Sequence, residues 1–279
     1  MDAKSDNIEF IHPGYEAPVG YSLNTHARYS LLHDLAWSLQ ACGALDQLRR
    51  SPFAWLEHVT DLSFTFPAKA ALYILSREIR FHGQRPDEFW FHIGGHMHRF
   101  GRQEFCLLTG LRFGRIARAT IVEDELPADS VLYRYFDPET IVTAVDIVAL
   151  LGSTTDRMEA DAELPLEERM PVADALSLAY AAIVGNWILG REDRVAIPLW
   201  VWHLVEDRVA FDSFPWGTVA YSAVLHHFPR VVRSERGAKK GQMYGLSWSL
   251  LVRCLTAIFI IISLIINLIV WVSCFSGGL

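Results

Sequence analysis

Three histidines, His92, His96 and His98, lie close to Cys106 in the chain, with Glu104 beside the cysteine. These are residue types that ligate zinc or carry thiolate chemistry. On a strand, His96 and His98 share one face because side chains alternate, and hairpin register decides whether His92 joins them. Three imidazoles with neither a carboxylate ligand nor a recognisable second shell form an incomplete metal set, so they read as partly exposed strand histidines. Cys106, with His96 or His98 as base, has the make-up of a nucleophile. Its context, Glu104-Phe105-Cys106-Leu107-Leu108, instead places the thiol on the apolar side of a short helix, where cysteine is a small inert core residue. His203 and the pair His226-His227 have no partners at metal-ligand spacing. Gly94-Gly95 lacks the strand-loop-helix setting and the Lys-Ser/Thr of a phosphate-binding loop. The sequence assigns no catalytic, cofactor-binding or metal-binding residue. The expectation is a protein with no enzymatic activity, no cofactor and no small-molecule substrate.

The elements that hold these residues are legible from pattern. Phe89-Trp90-Phe91-His92-Ile93 and His96-Met97-His98-Arg99-Phe100 flank Gly94-Gly95, which can supply the positive φ angles of a two-residue hairpin turn. A short helix follows through Glu104 to Leu108, and Gly110 sits where such a helix ends left-handed. Glu104, in the first turn, can cap donors and pair with Arg99. Arg99, Glu104, Thr109 and Trp216 are therefore expected to serve the fold.

Elsewhere the spacing predicts helices. Thr25 to Gln40 carries Leu32, Leu35 and Leu39 on one face. Ser51-Pro52 opens a helix through Trp55, Leu56 and Val59, and Pro67 opens another with Leu72, Leu75 and Ile79 inward. Asp137-Pro138 repeats that chemistry before Ile141, Val145 and Val148. Gly152 to Met170 reads as an acidic surface loop, and Pro171 to Leu189 as a long helix stopped by Gly190. Leu199 to Val205 is apolar on all sides and should be central. Pro215-Trp216-Gly217 punctuates the chain before Val219 to Phe228. The expected fold class is mainly α, a single helical domain with one small β-hairpin, plus a C-terminal transmembrane-like helix.

Charge is uneven. The net charge is −7, yet from Arg230 onward there are six cations and one anion, Glu235. That segment carries +5, which leaves −12 on residues 1–229. An acidic body is a poor surface for nucleic acid, which needs clustered cations. Four cysteines without paired spacing (Cys42, Cys106, Cys254 and Cys274) suggest neither a disulfide framework nor a zinc site, and fit a reducing compartment. The start of the chain lacks the basic-then-apolar order of a signal peptide.

The stretch from Glu88 to Leu111 resembles the signature of a plant domain-of-unknown-function family found in transposon-derived proteins, often upstream of a SUMO-protease-like cysteine peptidase domain. Glu88, Trp90-Phe91, Arg99-Phe100, Glu104-Phe105, Leu107 and Thr109-Gly110-Leu111 carry the match. Ser51-Pro52-Phe53, Phe214-Pro215-Trp216-Gly217 with Tyr221, and Tyr244-Gly245-Leu246 extend it to roughly Thr25–Val252. The resemblance implies no established biochemical activity. It places the peptidase residues of relatives in a separate domain, for which no room follows Val252, and implies an interaction role with an as yet unknown protein partner. An accessory, nucleic-acid-associated role in a transposon protein is the alternative it carries.

The match stops inside a helix. Cys254 to Phe275 is a run of about 22 residues without a charge, enough to span a bilayer core. The basic stretch before it places the body in the cytosol. The expected organisation is a flexible N-terminus over 1–24, a helical domain over 25–229, a basic linker over 230–245 and an apolar helix over 246–275, with 254–275 as the span. Localisation follows as membrane, and the protein as a tail-anchored adaptor. The junction also fits intron read-through or a frameshift, in which case the expectation is nuclear.

Overall fold

The computed structural model describes residues 8–16, 21–54, 68–117, 121, 124–161, 169–233, 240–243, 246 and 249–250. Alternating bulky residues around Gly94-Gly95 form the predicted hairpin, but it is part of a larger sheet. Strands β1 (Glu9–Phe10), β3 (Glu78–Arg80), β4 (Phe89–Ile93) and β5 (His96–Phe100) lie side by side in that order, all antiparallel. Gly94 and Gly95 have φ of 60° and 80°, the left-handed values the turn requires. Two further strands, β2 (Ser22–Thr25) and β6 (Lys240–Met243), pair in parallel.

This corrects the expected mainly helical fold with a single hairpin: the body is a helical layer on a four-stranded sheet, with a second, two-stranded ribbon. Two segments expected to be flexible or linking are strands. Glu9–Phe10 and Ser22–Thr25 fall in the N-terminal stretch, and Lys240–Met243 falls in the basic linker. The membrane expectation is also overturned. Among the described residues no helix is long and apolar enough to cross a membrane. The run 254–275 that motivated the span lies outside the described residues, as does the helix expected at Trp55, Leu56 and Val59.

The sheet's inner face is aromatic and packs on the helix Trp216–Arg233. Phe89 and Phe100 meet Phe228 at 5.7 and 6.3 Å between ring centroids, and Phe100 meets Tyr221 at 6.1 Å. The helices Tyr29–Ala41, Ala144–Ala160, Val172–Ile183 and Leu199–Glu206 pack on one another, and the turn Val184–Ile188 that follows the third of them touches the Trp216 helix. Leu32, Leu35 and Leu39 are buried on the first of these, as their spacing predicts. Trp200, Val201, Trp202, Leu204 and Val205 are all buried, which makes Leu199–Glu206 the central element expected from its composition.

Three helices differ from the pattern reading. The helix after Pro67 covers Ala68–Ser76, and Ile79 is buried in β3 instead of on its face. The helix after Asp137-Pro138 begins only at Ala144, capped by Thr143 and Asp146 in a reciprocal box. Its buried positions are Ala144, Ile147, Leu151 and Thr155, so Ile141 and Val145 are left exposed at 72% and 38%. It runs on to Ala160, through Gly152, where a loop was expected. The long helix from Pro171 is α-helical over Val172–Ile183 and widens to a π-turn at Val184–Ile188.

Candidate functional site

The sequence around the hairpin closes on itself. Arg99 leaves β5 and donates from Nε and Nη2 to Glu104 Oε1 at 3.0 and 2.8 Å, and from Nη2 to Gln103 Oε1 at 2.6 Å. The other Glu104 oxygen accepts the Gly101 N–H at 2.9 Å, which caps the helix Arg102–Thr109. Glu88 stands 3.7 Å from Arg99 Nη1 and accepts from the Trp90 indole at 3.3 Å. A Cβ at Gly101 would sit 3.1 Å from Glu88 Cγ, so a larger residue there would have to push that side chain aside by a few tenths of an ångström. Burial alone would raise the Glu104 carboxyl; the Arg99 guanidinium and the backbone N–H donors outweigh it and hold it below the usual carboxylate range.

The far end of this helix joins a second motif. Thr109 is buried and its hydroxyl donates to the Phe105 carbonyl at 2.8 Å while accepting the Leu111 N–H at 3.2 Å. Gly110 takes φ of 67° as the helix stop. Leu111, Arg112 and Gly114 then dock on the start of the Trp216 helix. The Gly217 N–H donates to the Arg112 carbonyl at 2.8 Å, and the Thr218 hydroxyl donates to the Gly114 carbonyl at 2.9 Å. Trp216 is fully buried, its indole donates to the Phe211 carbonyl at 2.9 Å, and its ring lies against Phe53, Phe211 and Phe214. Tyr221 reaches across to Asp87 and Phe100, its hydroxyl shared between their carbonyls at 2.8 and 3.3 Å. Arg99, Glu104, Thr109 and Trp216 therefore hold the hairpin, the short helix and the long helix together.

The histidines are not brought together. Register pairs His98 with Phe91 and His96 with Ile93, whereas His92 pairs with Met97. Directly opposed residues share a face, so His92 lies on the opposite side of the sheet from the other two. His98 is buried, His96 exposed, and His92 packs edge-on to Phe10 at 5.7 Å. Among the described residues no cluster of three His, Cys, Asp or Glu side chains could hold a metal. Cys106 is half-buried, not the core residue its neighbours suggested, and Phe105 and Thr109 fill the inner face of its helix. His203 bonds through Nε2 to the Asp124 carbonyl at 3.0 Å, and His226 packs edge-to-face on His227 at 4.9 Å.

Two polar centres had no sequence signal beyond an isolated polar residue in an apolar run. Asn186, fully buried in the π-turn, accepts the Arg28 N–H at 3.0 Å and donates to the His26 and Arg191 carbonyls at 2.9 and 3.1 Å. Asp174, also buried, accepts from Arg134 at 2.7 Å and from the Tyr135 hydroxyl at 2.8 Å. Burial, then the neighbouring Asp174 carboxylate, pushes the Tyr135 phenol up. Both centres spend their polar atoms on partners within the fold.

Beside the Trp216 motif an open cleft of about 530 Å³ lies between the segment Arg50–Pro52, the turn Gly110–Arg112 and the helix Arg208–Ser213. Arg50 and Arg112 both line it. Asp212, also on its wall, accepts from Arg208 Nε at 2.8 Å. Val209, at the rim, is 79% exposed. Arg208 also stacks on Tyr180, its Cζ 4.6 Å from the ring centroid. Burial pushes that phenol up to about 12.

No curated protein and no solved structure matches the chain significantly. A family model does match, over residues 75–227, narrower than the Thr25–Val252 reach expected but more than half the chain. That stretch holds the hairpin, the Arg99–Glu104 cluster and the Trp216 docking described above. The chain belongs to the family described as a domain of unknown function (DUF1985).

Proposed function

We infer that this chain is a non-catalytic interaction domain that recruits or positions a protein partner. The observation that carries the reading is Leu107. It belongs to the recognised signature, yet it is 86% exposed, on a helix whose Glu104, Phe105 and Thr109 are engaged in capping and packing. An aliphatic side chain presented in this way contributes nothing to the core and is accessible to another surface. Its resemblance to a plant, transposon-associated family adds a context: a module that brings a partner to a separately folded cysteine peptidase. What argues against the peptidase chemistry lying here is the setting of Cys106, with His92 on one sheet face and His96 and His98 on the other.

The test is turnover. Full-length chain incubated with a SUMO-conjugate substrate should release no product above a buffer blank. Turnover that vanishes in Cys106→Ser would make the protein an enzyme and overturn the reading.

A further inference from the structure

We propose that the cleft between Arg50 and Arg112 docks a short peptide segment in which one carboxylate side chain is flanked by aliphatic residues. The proposal rests on the interaction-domain reading and names the chemistry of its partner.

Charge complementarity selects the occupant. Arg50 and Arg112 both line the cleft, and neither guanidinium has a hydrogen bond or ion pair among the described residues. The arginines nearby are different. Arg99 meets Glu104, Arg102 meets Asp87 at 2.9 Å, and Arg208 meets Asp212 at 2.8 Å. The carboxylate on the cleft wall, Asp212, pairs with Arg208 through Oδ2, its Oδ1 is without a partner among the described residues, and two guanidiniums remain for an incoming anion. Guanidinium forks suit carboxylates because two parallel N–H donors match two oxygens.

Position is prepared as well as charge. The Arg112 backbone is fixed by the Gly217 N–H on its carbonyl, at 2.8 Å. Its side chain therefore starts from an anchored point, which lowers the ordering cost of binding. Pro52, Phe214 and Trp216 supply apolar wall, and Val209 stands exposed at the rim. Leu107 lies one helical turn before Gly110, which lines the same cleft. A volume of about 530 Å³ accommodates a few side chains, not a folded element.

The rest of the molecule limits the anion to a single charge. Residues 1–229 carry −12, so a polyanion such as nucleic acid is repelled by the body as a whole. One carboxylate in contact with two guanidiniums lies inside the screening distance of about 8 Å at physiological salt, where local pairing outweighs the distant charge.

Fluorescence anisotropy of the full-length chain provides the test, with a fluorescein-labelled octapeptide holding one glutamate between two leucines in an otherwise Gly/Ser sequence. Saturable binding is expected, weakened about tenfold or more by Arg112→Gln, by Arg50→Gln, and by replacing the peptide glutamate with glutamine. Arg80→Gln, an exposed arginine outside the cleft, should leave binding unchanged. The arginine variants should keep the parent's thermal midpoint, since neither side chain bonds within the fold. Absence of saturable binding, or binding indifferent to Arg50 and Arg112, would overturn the proposal while leaving the turnover test of the non-catalytic reading untouched. Displacement of the peptide by inorganic phosphate below about 1 mM would show a phosphate site, and would overturn it too.

Discussion

Gly217 sits with its Cα against the carbonyl oxygens of Leu111 and Arg112, so close that a Cβ would fall 2.7 Å from each. Both neighbours are backbone and cannot swing away. Gly217→Ala is expected to destabilise the fold by roughly 2–3 kcal/mol, near the upper end for forced overpacking. Urea titration of the full-length chain measures this. A loss within about 0.5 kcal/mol would mean that the two segments separate freely.

Trp216→Ala should cost roughly 3–5 kcal/mol, the usual penalty for emptying a large buried aromatic site. Trp216→Phe keeps most of the packing but leaves the Phe211 carbonyl without its indole donor, and should cost roughly 1–2 kcal/mol. Equal losses in the two variants would show that volume is not what the site requires.

The Arg99–Glu104 pair is expected to couple. Glu104→Gln and Arg99→Met should each destabilise by roughly 1–3 kcal/mol, and the double variant by less than their sum. Acid should shrink the Glu104→Gln effect. A carboxyl held below its ordinary value stabilises the fold above that ordinary value, about 4.3 for glutamate, and the contribution is lost as pH falls through the depressed one. An effect of the same size at pH 7 and pH 3 would break the assignment.

His227 sets a second pH dependence at higher pH. Burial, then the His226 and Arg230 charges, lowers its imidazole to about 4. The unfolded chain therefore binds the proton first, and stability should fall as pH drops from about 6.5 towards 4. His227→Gln should flatten that slope by on the order of 1 kcal/mol, after allowance for solvent screening at a partly buried site. Stability against pH, compared between the variant and the parent, decides it. Parallel curves would place the titration elsewhere.

Strong local signals were enough for the hairpin and for the capped helix after it. Alternation around two glycines and the Glu104–Gly110 bracket determine those elements from within about twenty residues. What sequence could not show was partnership at a distance. β1 is two residues long and β3 three, too short for any period, so a four-stranded sheet read as a lone hairpin. The helix at Ala144 was read one face out of phase. Its Thr143–Asp146 cap is a stronger start signal than Asp137-Pro138 six residues earlier. The grouping of His92, His96 and His98 failed for a reason of register: one residue of offset sends His92 through the sheet. Arg50 and Arg112 lie 62 positions apart in the chain, and nothing local to either points to the other.

The parallel pairing of Ser22–Thr25 with Lys240–Met243 has a temporal consequence. A ribosome that has just released β2 must add more than two hundred residues before its partner strand exists. At about 5–20 residues per second this is roughly 10–40 s, long compared with the microseconds in which helices and hairpins form. Throughout that interval Leu23, buried in the finished fold, has no strand beside it. The nascent chain therefore carries an open strand edge for that whole interval, and the ribbon closes only after Lys240–Met243 has emerged.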